Sequence, residues 1–270
     1  KKNKSFLILF NEIIKLRRLE KYDLVIDMQN LIKSAFITRM IPSLKTIGLD
    51  KNSSREKLAS IFYDKKLNIA HSSNVISRNI SIINSSLGIN ISDKELKYKE
   101  PFLFFRTKRV FSLLNDNPNI LLIPGASFEA KIYPAEHFAE IANTMHGNFF
   151  IVWGSKFEQL IAEKIKALSP KVIILDRLSF NDLKFFISKI NLVIGGDTGP
   201  VHMAWALGIA SITIFGPTPG YRNTCVTKIN HLIESESQIN PYKINKNDLS
   251  IKDISAKEIV EMAKKLVDAP

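Results

Sequence analysis

The chain has 270 residues, of which 45% are hydrophobic and 24% charged, and a formal net charge of +12. That length suffices for two domains of ordinary size, and the composition is that of a folded globular protein rather than a disordered or fibrous one. The lone cysteine, Cys225, excludes an internal disulfide and any cysteine-built zinc or iron–sulfur site within one chain, and it suits a reducing compartment.

At the start, Lys1, Lys2 and Lys4 precede the apolar run Phe6–Phe10, which resembles the opening of a signal peptide. The pattern continues past Asn11 and Glu12 as Ile13, Ile14 and Leu16 among Lys15, Arg17 and Arg18, with no small-residue cleavage site. It therefore predicts an amphipathic helix over about 4–20. No stretch of about 20 apolar residues lacks Gly, Pro or charge, so no membrane-spanning helix is predicted. Leu24-Val25-Ile26 reads as a strand. Helices are predicted over 31–41 (ended by Pro42), around Arg55–Tyr63, and over 74–87 with Gly88 just past the end. Several amphipathic helices around a single convincing strand predict an α/β domain that lacks part of its sheet. Since the sequence opens on Lys1 rather than methionine, further residues upstream are expected.

From 118 onward the punctuation is regular. Apolar runs of strand length occur at Ile120–Ile123, Phe149–Trp153, Val172–Leu175, Leu192–Ile194, Ile212–Phe215 and, weakly, His231–Ile233. Helical segments separate the first five, marked by Pro134 and Gly147, by Ser179 with Asp182, and by Gly208. This alternation predicts a parallel sheet covered by helices on both faces. A last helix follows Ser255, with Glu258 as the partner of a second capping box. The expected domains are 1–117, 118–250, and a carboxyl-terminal helix in 251–270 that packs back towards the first domain.

Charge divides along the same line. Residues 1–117 hold 22 Lys and Arg against 11 Asp and Glu, whereas 118–270 hold 16 against 15. A positive field confined to one half points to a polyanionic partner: nucleic acid, anionic lipid or a phosphorylated glycolipid. Lysines that merely confer solubility are the plainer alternative.

Ligands of open parallel sheets bind beyond the carboxyl ends of the strands, so the loops there carry the functional reading. Gly195-Gly-Asp-Thr-Gly-Pro-Val-His202 joins a strand to a helix whose first turn offers free N–H groups and a positive dipole end. Thr198 and Gly199 can bring those groups against a diphosphate, and Asp197 can accept from sugar hydroxyls. A plain helix cap explains Asp197 and Thr198 equally well, and His202 reads more readily as a packed core histidine than as a ligand contact. Lys131 could reach a phosphate, with Ser127 supplying a hydroxyl, though a loop lysine is also an ordinary surface feature, and Glu158 is equally ordinary as a first-turn acid. Neither G-x-G-x-x-G nor G-x-x-x-x-G-K-[ST] follows a strand, and H-E-x-x-H and Asp-x-Asp do not occur. No metal site and no cofactor are expected. Leaving-group charge then falls to N–H dipoles and lysine.

Together these segments resemble the lipopolysaccharide heptosyltransferase family. The matching pieces are Tyr22–Ser34, Arg55–Tyr63, the loop 125–134, Trp153-Gly154, Asp197-Thr-Gly-Pro-Val-His202 and Phe215-Gly-Pro-Thr218. Asp-Thr-Gly, rather than Asp-Ser-Gly or Asp-Ser-Ala, leans the resemblance toward the members that add the first heptose. It implies a GT-B architecture: two Rossmann-like domains facing a cleft, the amino-terminal one incomplete here. The chemistry it implies is inverting and metal-independent, with ADP-L-glycero-β-D-manno-heptose as donor and Kdo-lipid A as acceptor. It further implies a peripheral enzyme on the cytoplasmic face of the inner membrane, with no nucleic-acid partner and no transmembrane segment.

Position by position, the resemblance implies Ser127 and Lys131 on the diphosphate, Glu158 on the ribose and the backbone near Leu178 at adenine. Thr198 and Gly199 would meet the phosphates, and Asp197 and His202 the heptose. Lys33, Arg55 and Arg78 are candidates for the acceptor's acid groups. The family's glycine-rich opening loop carries its proposed catalytic base, and no such segment precedes Lys1. The base is therefore unassigned, and Asp27, at a strand end, is a poor substitute. Asn30 stands where the family usually has glycine. The rival readings are a sibling enzyme acting on an already heptosylated core, and a nucleotide- or lipid-binding module without catalysis.

Overall fold

The computed structural model describes residues 11–107, 109 and 111–267, and the chain divides into two compact units at 96/97. The predicted helix over 4–20 lies partly outside the described residues; its described part is helical over 11–17.

The first unit is built on a three-stranded parallel sheet in the order β1 (Tyr22–Ile26), β2 (Ser43–Leu49), β3 (Lys65–Leu67). Only β1 is legible in the sequence. Lys45 and Thr46 break the apolar pattern of β2, and β3 is a short Lys-Lys-Leu segment. Gly48 makes β2 possible where it passes Tyr63, because a Cβ there would lie 2.3 Å from the ring. Helix α1 (Ile32–Met40) matches its prediction, while the segment around Arg55–Tyr63 forms only a 3-10 helix over Lys57–Phe62. Helix α2 (Val75–Leu87) begins on Asn74, whose side chain accepts from the Ile76 N–H, and ends on Gly88 at φ 69°. Asn30 has φ 54°, the one positive value outside glycine among the described residues. Asparagine tolerates that left-handed conformation, so it can take the turn after Gln29.

The second unit carries a six-stranded parallel sheet. Its strands are β4 (Asn119–Ile123), β5 (Asn148–Ile151), β6 (Val172–Ile174), β7 (Leu192–Gly196), β8 (Ala210–Phe215) and β9 (Asn230–Glu234). Their order is β6-β5-β4-β7-β8-β9. Strand residues alternate between two cores. Ile120, Leu122, Phe149, Ile151, Leu192 and Ile194 pack under α3 (Ala135–Thr144) and α4 (Lys156–Leu168). Leu121, Ile123, Phe150 and Val193 pack under α5 (Phe180–Ile187) and α6 (Gly199–Leu207). A short helix α7 (Gly220–Asn223) follows β8.

One boundary falls elsewhere than expected. The chain from 97 to about 117 belongs with the second unit. Phe105 and Phe111 pack on Phe185 with ring centroids 5.3 and 6.0 Å apart, and the Phe102 N–H donates to the Ala206 carbonyl. These aromatic residues cover α5 and α6, which a boundary at 117 would leave bare. The last helix, α8 (Ala256–Val267), packs within the second unit. Ile259, Val260 and Ala263 are buried in the core with α3 and the sheet, an arrangement its amphipathic pattern permits on any apolar face.

Candidate active site

Strand order reverses between β4 and β7: from β4 the chain proceeds outward to β5 and β6, then returns to place β7 on the other side. Loops leaving the carboxyl ends of two such strands run in opposite directions, which opens a crevice between them. A cavity of about 550 Å³ lies there. It is lined by the loop after β4 (Gly125, Ala126, Ser127), the loop after β5 (Trp153, Gly154), the loop after β6 with the first residue of α5 (Arg177, Leu178, Phe180) and the turn into α6 (Asp197, Thr198, Gly199).

Each wall has a local cause. Ser155 caps α4 by accepting from the Glu158 N–H, and Glu158 Oε2 accepts in return from the N–H groups of Gly154 (2.6 Å) and Ser155 (3.3 Å). Gly125 lies directly against that carboxylate, since a Cβ there would meet the Glu158 side chain at 2.5 Å. The Trp153 Nε1–H donates to the Leu175 carbonyl at 2.9 Å and ties the loops after β5 and β6 together.

At the turn into α6 the helix cap is Thr198, and its hydroxyl makes no capping bond; it donates back to the Gly196 carbonyl. The first-turn N–H groups are thus not used by a side-chain cap. A Cβ at Gly199 would meet nothing within 4 Å, so the backbone there is open to approach. The Asp197 carboxylate is engaged elsewhere. Its Oδ2 takes the Lys131 ammonium at 2.6 Å and the Asn223 amide at 3.3 Å, and its Oδ1 lies 3.0 Å from His202 Nε2. Burial acts to raise its pKa, but the bonds from His202 and Lys131 outweigh burial and hold it below its usual 3.8. Lys131 is only 12% exposed in its side chain and spends one of three N–H donors on Asp197. The two remaining donors give this cluster the means to meet an anion.

Residues 13–250 match the family described as glycosyltransferase family 9 (heptosyltransferase). The chain belongs to this family. It is 34% identical over 92% of its length to lipopolysaccharide heptosyltransferase 1 of Campylobacter coli, covering 77% of that protein. Against lipopolysaccharide heptosyltransferase 1 of Escherichia coli K12 the identity is 29% over 74% of the chain, covering 63% of the relative, so the chain spans less than two thirds of that length. In fold it is similar to E. coli heptosyltransferase WaaC with ADP, with a TM-score of 0.72 at 22% identity over 95% of this chain and 77% of that one. Its α/β units with parallel sheets are those of the GT-B-type members of the family.

Of the eight donor-site residues named from the sequence, Ser127, Glu158, Leu178, Asp197, Thr198 and Gly199 line the cavity. Lys131 and His202 join it through Asp197. Of the acceptor candidates, Lys33 and Arg55 are exposed on the first unit. Arg78 is buried there, with Nη2 donating to the Ser53 carbonyl at 2.9 Å, and it holds the 50–54 loop rather than facing solvent. Asp27 is also buried. Its carboxylate accepts from Tyr63 and Ser34 hydroxyls, both at 2.7 Å, and from the N–H groups of Gln29 and Asn30. A carboxylate with four donors is a structural anchor, and burial beside it raises the Tyr63 hydroxyl pKa.

Sequence reasoning missed Phe180, which follows a plain capping serine, and Asn223. The only signal for Asn223 was its place a few residues after Phe215-Gly-Pro-Thr218. Among the described residues no group of three His, Cys, Asp or Glu is arranged to hold a metal, and no helix is long and apolar enough to cross a membrane.

Proposed function

We propose that the protein transfers L-glycero-D-manno-heptose from ADP-heptose to the Kdo of the lipopolysaccharide inner core, with inversion and without metal, as a heptosyltransferase I. The observation that supports this most is the Lys131–Asp197–His202 cluster at the edge of a cavity at the strand-order reversal, in a family-9 chain. The diphosphate lies against Ser127 and the open first turn at Thr198 and Gly199. Lys131 offsets the charge that develops as ADP departs, while Asp197 and His202 meet heptose hydroxyls. Glu158 accepts from the ribose with the oxygen its cap bonds leave free, and adenine lies by the backbone near Leu178. A base removes the proton of the attacking Kdo hydroxyl, and the new glycosidic bond forms as the anomeric C–O bond to ADP breaks on the opposite face. Lys33 and Arg55 serve the acceptor's anionic groups, and the protein works at the cytoplasmic face of the inner membrane.

The test is turnover of ADP-heptose with Kdo-lipid A and, in parallel, with an acceptor that already carries one heptose. Turnover with Kdo-lipid A alone is expected. Exclusive use of the heptosylated acceptor assigns the chain to the sibling activity, and nucleotide binding with no transfer to either assigns it to the non-catalytic reading.

A further inference from the structure

Residues 97–109 hold five Lys and Arg against one acidic residue, Glu100, and they belong to the second unit. Part of the basic excess of residues 1–117 is therefore carried there rather than on the first unit. Between 101 and 107 the chain forms neither helix nor strand, and its side chains alternate in exposure. Leu103 and Phe105 pack against the core beneath α5 and α6, whereas Phe102 is 56% exposed, Phe104 is 79% exposed and Arg106 is also exposed. The strap is tied down along its length. The Phe102 N–H donates to the Ala206 carbonyl, the Arg106 N–H donates to the Asn181 side chain at 3.0 Å, and the Lys184 ammonium donates to the Phe104 carbonyl at 2.7 Å. A segment with period two and an apolar inner side should carry polar residues outside. Here the outer side carries two aromatic rings.

Each outward ring has a cation beside it. Lys184 Nζ lies 5.3 Å from the centre of the Phe104 ring, and Lys99 Nζ lies 5.0 Å from that of Phe102. A single exposed phenylalanine is ordinary surface, but two on one side of a fixed strap among Lys99, Lys184 and Arg106 form a patch. Such a patch suits the boundary layer of a bilayer, where rings enter among the acyl chains and the cations stay with anionic phosphates. A second copy of this chain docked symmetrically on the same face would set these cations against one another, so charge favours the lipid. We propose that the outer side of residues 102–106 is a contact surface for an anionic lipid bilayer, with Phe102 and Phe104 entering the interface and Lys99, Lys184 and Arg106 meeting the headgroups. The inference rests on the membrane location proposed above and adds to it the surface that makes the contact.

The test is binding of the whole protein to vesicles of phosphatidylglycerol and, separately, of phosphatidylcholine, with melting temperatures and oligomeric state in parallel. The variants are Phe104→Ser, Arg106→Gln and, as a control, Phe157→Ser. Phe157 is 57% exposed on α4, which packs on the opposite face of the sheet from the strap. Phe104→Ser should weaken phosphatidylglycerol binding at least about tenfold, the loss of one inserted ring, with an unchanged melting temperature. Arg106→Gln should weaken it about fivefold, the loss of one cation at an anionic surface, and Phe157→Ser should stay within about twofold. Phosphatidylglycerol binding by Phe104→Ser within about twofold of the unaltered protein overturns the assignment. So does an equal loss in Phe157→Ser, which would mark adsorption by any exposed ring, and so does equal affinity of the unaltered chain for the two lipids. A lowered melting temperature in Phe104→Ser overturns it too, because the ring would then be covered by protein, as does a dimer of the unaltered chain that Phe104→Ser abolishes. Failure of the unaltered chain to bind either vesicle removes the membrane location itself, whereas the other adverse results remove the strap alone.

Discussion

Replacing Lys131 by methionine tests both roles that the geometry gives it. Its side chain is 12% exposed and Asp197's 9%, so the 2.6 Å pair is nearly buried. Removing one partner of a buried pair costs about 3–5 kcal/mol, because the other charge stays behind. Here Asp197 keeps His202 and Asn223, so the loss should fall at the low end, about 3 kcal/mol. For a unit of this size that lowers the melting temperature by about 6–12 °C. Methionine keeps the volume of the stem, which separates lost charge from lost packing. If Lys131 also stabilises the departing diphosphate, turnover should drop by about 10²–10³, as for one preorganised donor, and ADP should bind more weakly. The double variant Lys131→Met with Asp197→Leu discriminates further: it should recover part of the lost stability, since no buried charge remains, and recover no turnover. A Lys131→Met protein that melts within about 2 °C of the parent would refute the buried-pair argument, and one that melts low but turns over normally would confine Lys131 to structure.

Other outcomes follow from the same geometry. Asp197 has a lowered folded pKa, so its contribution to stability is present above the unfolded value of about 3.9 and is lost as pH falls through the folded one. Acid titrations followed by tryptophan fluorescence should therefore show a shallower stability loss below about pH 4 in Asp197→Asn than in the parent. Asp27→Ala should cost about 3 kcal/mol or more in urea unfolding, since it leaves the buried Tyr63 hydroxyl and Asn30 N–H without their acceptor, whereas ADP affinity should survive; weakened ADP binding in the folded protein would show that Asp27 does more than anchor its own unit. ADP affinity should be equal with and without a chelator, because lysine and helix N–H groups supply the positive field; a large loss on chelation would count against the site as assigned. Binding to anionic vesicles should weaken with salt, and more on reversing Lys33 and Lys57 than on reversing Lys257 and Lys264, given the excess of base in residues 1–117; equal effects would disprove a directed surface.

The sequence by itself determined most of the second unit. All six of its strands were legible because apolar runs buried on both faces of a parallel sheet are continuous, and because Gly208 and Ser179 mark helix ends by local chemistry. The first unit hid two of its three strands, since Lys45, Thr46 and Lys65 interrupt the pattern and β2 depends on Gly48 accommodating a ring 15 residues away. Cavity-lining residues could be named in advance because the carboxyl edge of a parallel sheet is a fixed address. Who pairs with whom could not. Lys131 and Asp197 are 66 positions apart, Asp197 and Asn223 are 26 apart, and only the packing of α6, α7 and the loop after β4 brings them within hydrogen-bond reach. The same limit applied to α8, whose amphipathic pattern specifies that it has a buried face but not which surface receives it, and to Phe180, whose exposure exists only once the chain is folded around it. Periodicity and capping are local and are written in the chain, whereas side-chain partnership depends on the tertiary fold.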